Sequence, residues 1–463
     1  ILLRDWSSDV CSSDLRVLGA ENIGLFSYTY AVANYFVLFA NLGIKNYGSR
    51  TIAMVRNNKE ELNRNFSEIL SIHIIFSIIV IFVYLVLLFF FVEDNLVIFL
   101  IQSIYVFAAV FDINWFFFGI EKFKLTVGRN TLVKILSVFL VLVFVKTQTD
   151  LWIYALILAL SVFVGQSVVW FALKQYVSWR RPSWANMKQH IRPLFVLFLP
   201  ILALSLYKYM DKIMLGSISS NVQVGFYENA EKIINVPMSL IMAFGVVLMP
   251  RIANMVTSKD KGEVFKLIDM SMEAVMLLAI AISFGLAGIS FVLAPIFFGY
   301  EFEECGILIM GLAVTVPFMA FANVIRTQYL IPYKEDKIFV VSLFLGAAVN
   351  LIVNIILIPY MAARGAVIGT IFAEIIVCIY QSYFVRKKIF IKKYLLNTIP
   401  PILIGIVMFV FVFQIGNVMN INIVTLILQL LVGMFIYAVG VFLLMLKSRT
   451  RLMVLLRKFV VRY

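Results

Sequence analysis

Three charged residues stand inside one apolar run: Lys208, Asp211 and Lys212, in "YKYMDKIMLG". Spacings of i, i+3 and i+4 put them along one side of a helix. A charge deep in a bilayer costs at least ~2.5–3.5 kcal/mol on insertion scales, so such residues face a cavity, a partner or water. Two cations and one anion leave net positive charge, which suits a phosphate-bearing ligand. An ion pair near the outer interface, its lysines reaching to water, fits the same residues equally well. Arg50 and Arg251 add a second cationic chemistry, because a guanidinium grips phosphate through two parallel hydrogen bonds. Paired at an inner entrance they could capture a phosphate-bearing headgroup; as positive-inside anchors they need bind nothing. Arg326, ending the run after Pro317, carries the same two readings.

Two carboxylates also lie inside apolar runs. Asp112, beside Asn114 and Trp115, and Glu374 could take up protons and couple transport to an ion gradient. Asn350 and Asn354, four apart on one helix face, read as interhelical hydrogen-bonding residues. His73 is a lone histidine at the start of a run and reads as uninvolved in chemistry. Catalytic signatures are missing: there is no Walker A, H-E-x-x-H, G-x-S-x-G or G-x-G-x-x-G pattern. Cys11, Cys305 and Cys378 show neither a disulfide framework nor metal-ligand spacing. The reading is a non-enzyme without cofactor or metal.

What positions these residues follows from composition. The 463 residues are 63% hydrophobic and 14% charged, with a mean hydropathy of +1.00; soluble domains carry about 25% charge. Roughly 290 apolar residues suffice for up to about fourteen spans. Thirteen runs are long enough: 25–44, 69–92, 96–119, 126–145, 151–173, 193–215, 233–250, 268–294, 307–325, 338–358, 366–385, 398–415 and 423–446. The net charge of +14 does not mark a nucleic-acid binder, since the basic residues are spread between the runs. Basic connections, such as Lys45–Arg64 and Arg386–Lys393, alternate with nearly Lys/Arg-free ones, such as "EDN" at 93–95 and "GYEFEEC" at 299–305. By the positive-inside rule the basic connections and the C-terminus are cytoplasmic. The tail "KSRTRLMVLLRKFVVRY" is expected to lie on the anionic inner leaflet.

An internal repeat organises the runs. "LGAENIGLFSYTY" (18–30) parallels "LGSISSNVQVGFYENA" (215–230), and "GIKNYGSRTIAMV" (43–55) parallels "GVVLMPRIANMV" (245–256). Both copies place an Arg on a basic connection, so they share one orientation, as in transporters built from parallel repeats. In the second copy a whole run, 193–215, leads into the repeat, whereas only residues 1–15 precede Arg16. "RDWSSDVCSSDL" looks like translated adapter sequence, and 1–15 is read as foreign, replacing a first helix. The expected organisation is an N-terminal lobe at 16–173, a cytoplasmic linker at 174–192, a C-terminal lobe at 193–385, two extra helices at 386–446 and a basic tail at 447–463. Pro200, Pro237 and Pro317 are expected to interrupt and bend spans.

Five stretches, "YKYMDKIMLG", "GFYENAEKI", "VVLMPRIANMV", "TQYLIPYKED" and "GAAVNLIVNIILIP" followed by "GAVIGTIFAE", together resemble the Wzx-type polysaccharide and oligosaccharide flippases. These form a branch of the MATE-like MOP superfamily, and the resemblance spans 16–463. It implies an all-α polytopic fold of two six-helix lobes around a cleft plus two C-terminal helices. It also implies alternating access that carries undecaprenyl-pyrophosphate-linked oligosaccharide units from the inner to the outer leaflet of the bacterial cytoplasmic membrane. The implied partners are that lipid-linked substrate, membrane lipids and polysaccharide polymerase or assembly proteins. A MATE-type drug or organic-cation exporter is the alternative on the same fold, but Lys208 and Lys212 argue for an anion. A membrane-embedded polymerase or glycosyltransferase is the alternative from another class; it would call for a large loop or domain, and the connections are short.

Overall fold

The computed structural model describes residues 12–257 and 261–447, and within them every regular element is helical. The N-terminal stretch read as foreign, up to residue 11, and the basic tail from 448 lie outside the described residues. Among the described residues, twelve helices are long and apolar enough to cross a membrane. The thirteen expected runs are all present in them, because 338–358 and 366–385 are joined in one 50-residue helix that breaks at Ala362 (φ 47°, ψ −127°). The described residues fall into two compact units that part at Ser217–Ile218.

The first unit holds α1 (Ser12–Asn41), α2 (Ile44–Val55), α3 (Lys59–Phe91), α4 (Leu96–Val110), α5 (Asn114–Gly119), α6 (Phe123–Phe144), α7 (Leu151–Leu173) and α8 (Trp184–Ile218). Much of the basic connection expected after the first run is therefore helical. Leu42 and Gly43, at φ 38° and 70°, turn α1 into α2. A Cβ on Gly43 would sit 2.9 Å from the Leu194 carbonyl oxygen, so only glycine fits both the backbone angle and the space. The Asn58 side chain then caps α3 by accepting from the backbone N–H groups of Glu60 and Glu61. A buried cluster including Ile52, Phe66, Ile69, Trp115, Phe116, Leu194 and Phe198 closes the basic end of the unit.

α8 runs antiparallel along α1. Tyr28 meets Ser217 (3.4 Å), Tyr35 meets Tyr209 (ring centroids 5.9 Å), and Phe39 meets Phe198 (5.4 Å). Near the basic end, Tyr47 of α2 meets His190. This is why the units part at 217 and not across the linker expected at 174–192: residues 184–192 are the first turns of α8, and α8 packs on α1–α3.

The second unit holds α9 (Asn221–Thr257), α10 (Lys261–Phe298), α11 (Cys305–Ala313), α12 (Thr315–Ile325), α13 (Asp336–Val385), α14 (Ile391–Val418) and α15 (Ile423–Lys447). A π-helical turn, Arg326–Leu330, follows α12. Pro200 and Pro237 lie inside α8 and α9 without interrupting either helix, contrary to the expected interruption. At Pro317 the expected interruption is present: the proline falls in the first turn of α12, just past a break at Val314. The proline ring removes the N–H that would reach the Ala313 carbonyl, and the Ser283 hydroxyl donates to that oxygen at 2.7 Å. The two C-terminal helices belong to this unit: Tyr437 donates to the Leu277 carbonyl (2.7 Å), and Lys393 pairs with Asp269 (2.7 Å).

Outward faces carry large apolar side chains as a lipid-facing surface requires. α3 ends in Phe89, Phe90 and Phe91, all strongly exposed.

Candidate functional site

The three residues on α8 do not share one environment. Lys208 is exposed, its Nζ 5.6 Å from the Tyr209 ring centroid, whereas Asp211 and Lys212 are buried. Tyr35 of α1 lies close enough to Asp211 to feel its charge. A one-turn segment near the charge-poor end of α8 thus holds a buried carboxylate, a buried ammonium and an exposed ammonium, flanked by tyrosine rings. Such a surface can meet an anion with Lys208 and hydroxyl-rich groups with the aromatic faces.

Arg50 on α2 and Arg251 on α9 are both exposed at the basic ends of their units. Exposure leaves each guanidinium able to reach an anionic headgroup. Arg326 differs. It opens the π-helical turn, donates to Asn323 Oδ1 at 2.7 Å, lies 5.3 Å from the Phe339 ring centroid and feels the charge of Glu374. Glu374 is buried on the second half of α13. The structure therefore brings two separately identified residues, Arg326 and Glu374, into one polar seam of the second unit. Asn354 donates to Asn350 (3.2 Å) in the same helix, and Gln381 donates to Ser342 (2.9 Å). Gln328 in the π turn is wholly buried with neither amide atom bonded. π turns of this kind recur at functional positions in helices.

Asp112 occupies the gap between α4 and α5. Its Oδ1 accepts from the Asn114 backbone N–H (3.1 Å) and side-chain amide (2.6 Å). Asn114 continues to Gln166 of α7 (2.9 Å) and accepts from Arg129 of α6 (3.1 Å).

The sequence reading missed a buried pair. Glu68 of α3 and His190 of α8 meet at 3.0 Å, each almost wholly enclosed. His190 Nδ1 and the Tyr47 hydroxyl are 2.6 Å apart, and Asn186 donates to Glu68 at 3.1 Å. His190 falls within the stretch expected as a linker, whose composition gives no sign of burial; Glu68, one residue before an apolar run, is the available signal. Among the described residues no three His, Cys, Asp or Glu side chains gather as a metal site would need.

The family model described as "Polysaccharide biosynthesis protein" matches residues 15–256, just over half of the chain. The chain belongs to the polysaccharide biosynthesis protein family. A Shigella dysenteriae family relative named "Putative O-antigen transporter" is 24% identical over 381 residues, covering 79% of this chain and 92% of that one. Lipid II flippase MurJ of Bacillus subtilis is 28% identical over 224 residues, 44% of this chain and 41% of that protein. Among solved structures, MurJ in an inward closed conformation superposes with a TM-score of 0.70 at 16% identity, covering 92% and 94% of the two chains. An inward-facing MATE multidrug transporter of the MOP superfamily gives 0.61 at 14% identity, covering 81% and 93%. The polysaccharide biosynthesis family member thus has a MATE-like fold, shared with MurJ and the MATE transporter, and the resemblance to Wzx-type flippases stands. It is a multi-pass membrane protein.

Proposed function

We propose that this chain is a flippase that carries lipid-linked oligosaccharide from the inner to the outer leaflet of the bacterial cytoplasmic membrane by alternating access, with no catalytic step. The supporting observation is the similarity, over 79% of this chain and 92% of the relative, to a protein named for O-antigen transport. Lys208 and Lys212, with Asp211 holding the buried ammonium in balance, supply positive charge for a pyrophosphate within the membrane. Arg50, Arg251 and Arg326 are the further cationic contacts, the first two on what this reading makes the cytoplasmic side. Asp112 and Glu374 are the candidate ion-coupling carboxylates. The basic connections and the C-terminus face the cytoplasm, and a polysaccharide polymerase consumes the flipped product.

Complementation tests this reading. The chain expressed in a flippase-deficient strain is expected to restore surface polysaccharide, and Lys208→Ala with Lys212→Ala to reduce it at least tenfold at equal membrane level. Normal insertion without rescue for any of several lipid-linked substrates would overturn the reading in favour of an exporter of the same fold.

A further inference from the structure

Charge is shared unevenly along this chain. From residue 375 to the end there is no Asp or Glu, while eleven Lys and Arg supply +11 of the net +14. Five of the eleven, Arg386, Lys387, Lys388, Lys392 and Lys393, stand within eight positions on and beside the connection between α13 and α14, and all are exposed. Positive charge between spans needs no ligand to explain it. Counter-charge, shape and neighbouring apolar surface nevertheless set this connection apart from the other basic ones.

Elsewhere the basic connections bring their own carboxylates. Arg56 pairs with Glu121 at 2.6 Å, Arg180 with Glu60 at 3.2 Å and Lys266 with Glu263 at 2.5 Å. On 386–393 Lys393 is matched in this way, by Asp269 of α10. Among the described residues Arg386, Lys387, Lys388 and Lys392 have no carboxylate partner. Four like charges gathered on one short stretch repel each other until an anion joins them.

The connection is also a tight turn. The Lys388 and Ile389 N–H groups both donate to the Val385 carbonyl (2.8 and 2.9 Å), Ile391 donates to Ile389 (2.9 Å) and Lys393 to Phe390 (3.0 Å). Ile389 is buried and anchors the turn in the second unit. Lys393 and the Tyr394 hydroxyl both donate to Asp269, which fixes the start of α14 on α10. The four unmatched cations are thus carried on a braced backbone, which lowers the ordering cost of binding an anion.

Apolar side chains adjoin these cations. Phe390, in the middle of the five, is 77% exposed, and Tyr383 and Phe384 of α13 and Leu395 and Leu396 of α14 are exposed on the adjoining spans. The Arg386 guanidinium lies 3.9 Å from the Tyr383 ring centroid. The ring covers one face of it and leaves the edge N–H groups for a bidentate contact. Cations at the end of a span, with exposed hydrocarbon beside them, match a molecule that has phosphate at one end and acyl chains at the other. A soluble anion would use only half of that surface.

We propose that 386–393 is a binding site for the headgroup of an anionic glycerophospholipid. Arg386, Lys387, Lys388 and Lys392 surround its phosphate, and Phe390 lies against its acyl chains. That the inner leaflet supplies the lipid rests on the reading that puts the basic connections in the cytoplasm; the site itself does not.

The full chain in neutral detergent is titrated with phosphatidylglycerol and, separately, with phosphatidylcholine of the same acyl chains, and bound lipid is counted by native mass spectrometry. Wild type is expected to hold phosphatidylglycerol about tenfold more tightly, with the preference falling as salt is added. Arg386→Gln, Lys387→Gln, Lys388→Gln and Lys392→Gln together should bring the two lipids to equal affinity. Lys122→Gln, Lys124→Gln, Lys174→Gln and Arg181→Gln remove the same charge from other exposed basic positions and should leave the preference intact. Arg386→Lys with Lys387→Arg, Lys388→Arg and Lys392→Arg keeps the charge and should keep the preference too. A wild type without preference, or a preference that survives the first variant, overturns the site. Equal losses in the two glutamine variants overturn it as well, because net charge alone would then explain the binding. Both faces of the chain are open in detergent, so an inverted topology, or a chain that moves no glycolipid, leaves these outcomes unchanged.

Discussion

Glu68 and His190 show what a single buried pair contributes in this chain. Both are enclosed, and each has one further partner, Asn186 and Tyr47 respectively. Removing one member leaves the other buried without its partner, which typically costs about 3 kcal/mol or more, whereas replacing both by apolar residues is often close to neutral. Glu68→Leu or His190→Leu alone is therefore expected to lower unfolding stability by about 3 kcal/mol, and the double variant to recover most of the loss. Unfolding in detergent followed by tryptophan fluorescence would measure the cycle; additive losses would show that the pair is not coupled. The residues drawn from the sequence were mostly those whose charge stands out against apolar neighbours, as Lys208, Asp211, Lys212 and Glu374 do. His190 does not stand out, because "NMKQHIRP" mixes polar and apolar neighbours and the enclosure comes from α2 and α3, more than 100 positions earlier. His73 was visible, but a sequence cannot show that both its nitrogens lack partners.

At the level of helices, the runs were legible and their breaks were not. Window-averaged hydropathy follows how apolar a stretch is, and the gap at Phe111–Ile113 is as apolar around Asp112 as the helices beside it. Neither proline nor glycine marks it. The corner at Leu42–Gly43 did carry a glycine, and its importance can be tested. Gly43→Ala must hold φ near 70° and press a methyl against the Leu194 and Phe198 backbone, so a loss of about 2 kcal/mol is expected from strain alone. The opposite sign is expected at Ala362, whose φ of 47° and ψ of −127° suit glycine. The next residue, Ala363, donates its N–H to Gln223 at 3.2 Å, so the break is held from outside the helix. Ala362→Gly should gain about 1 kcal/mol, the relief of strain exceeding the added freedom of the unfolded chain. A drop in melting temperature for Ala362→Gly would contradict that geometry.

For the molecule as a whole, the alternation of basic and charge-poor connections gives a topology that chemistry can read directly. After Cys11, Cys305 and Cys378 are replaced, Asp94→Cys, between α3 and α4, is expected to react with an impermeant maleimide on intact cells. Lys388→Cys, between α13 and α14, is expected to react only once the membrane is opened. The reverse pattern would invert the chain and take Arg50 and Arg251 away from the side where a glycolipid is made. The fold class was readable because lipid leaves a polytopic chain so few backbone solutions. The boundary between units was not, since the run at 193–215 looks in isolation like the first helix of a second repeat, and only the contacts of α8 with α1 show where it packs.

The far end of α3 carries a consequence for the host envelope. Its apolar length from residue 69 to the three exposed phenylalanines is about 35 Å at 1.5 Å per residue, against about 30 Å for an ordinary hydrocarbon core. Phenylalanine, unlike tryptophan or tyrosine, has no polar edge to leave at the headgroups, so α3 must lean over or draw thicker lipid around itself. Shorter acyl chains would widen that mismatch and force a steeper lean on α3.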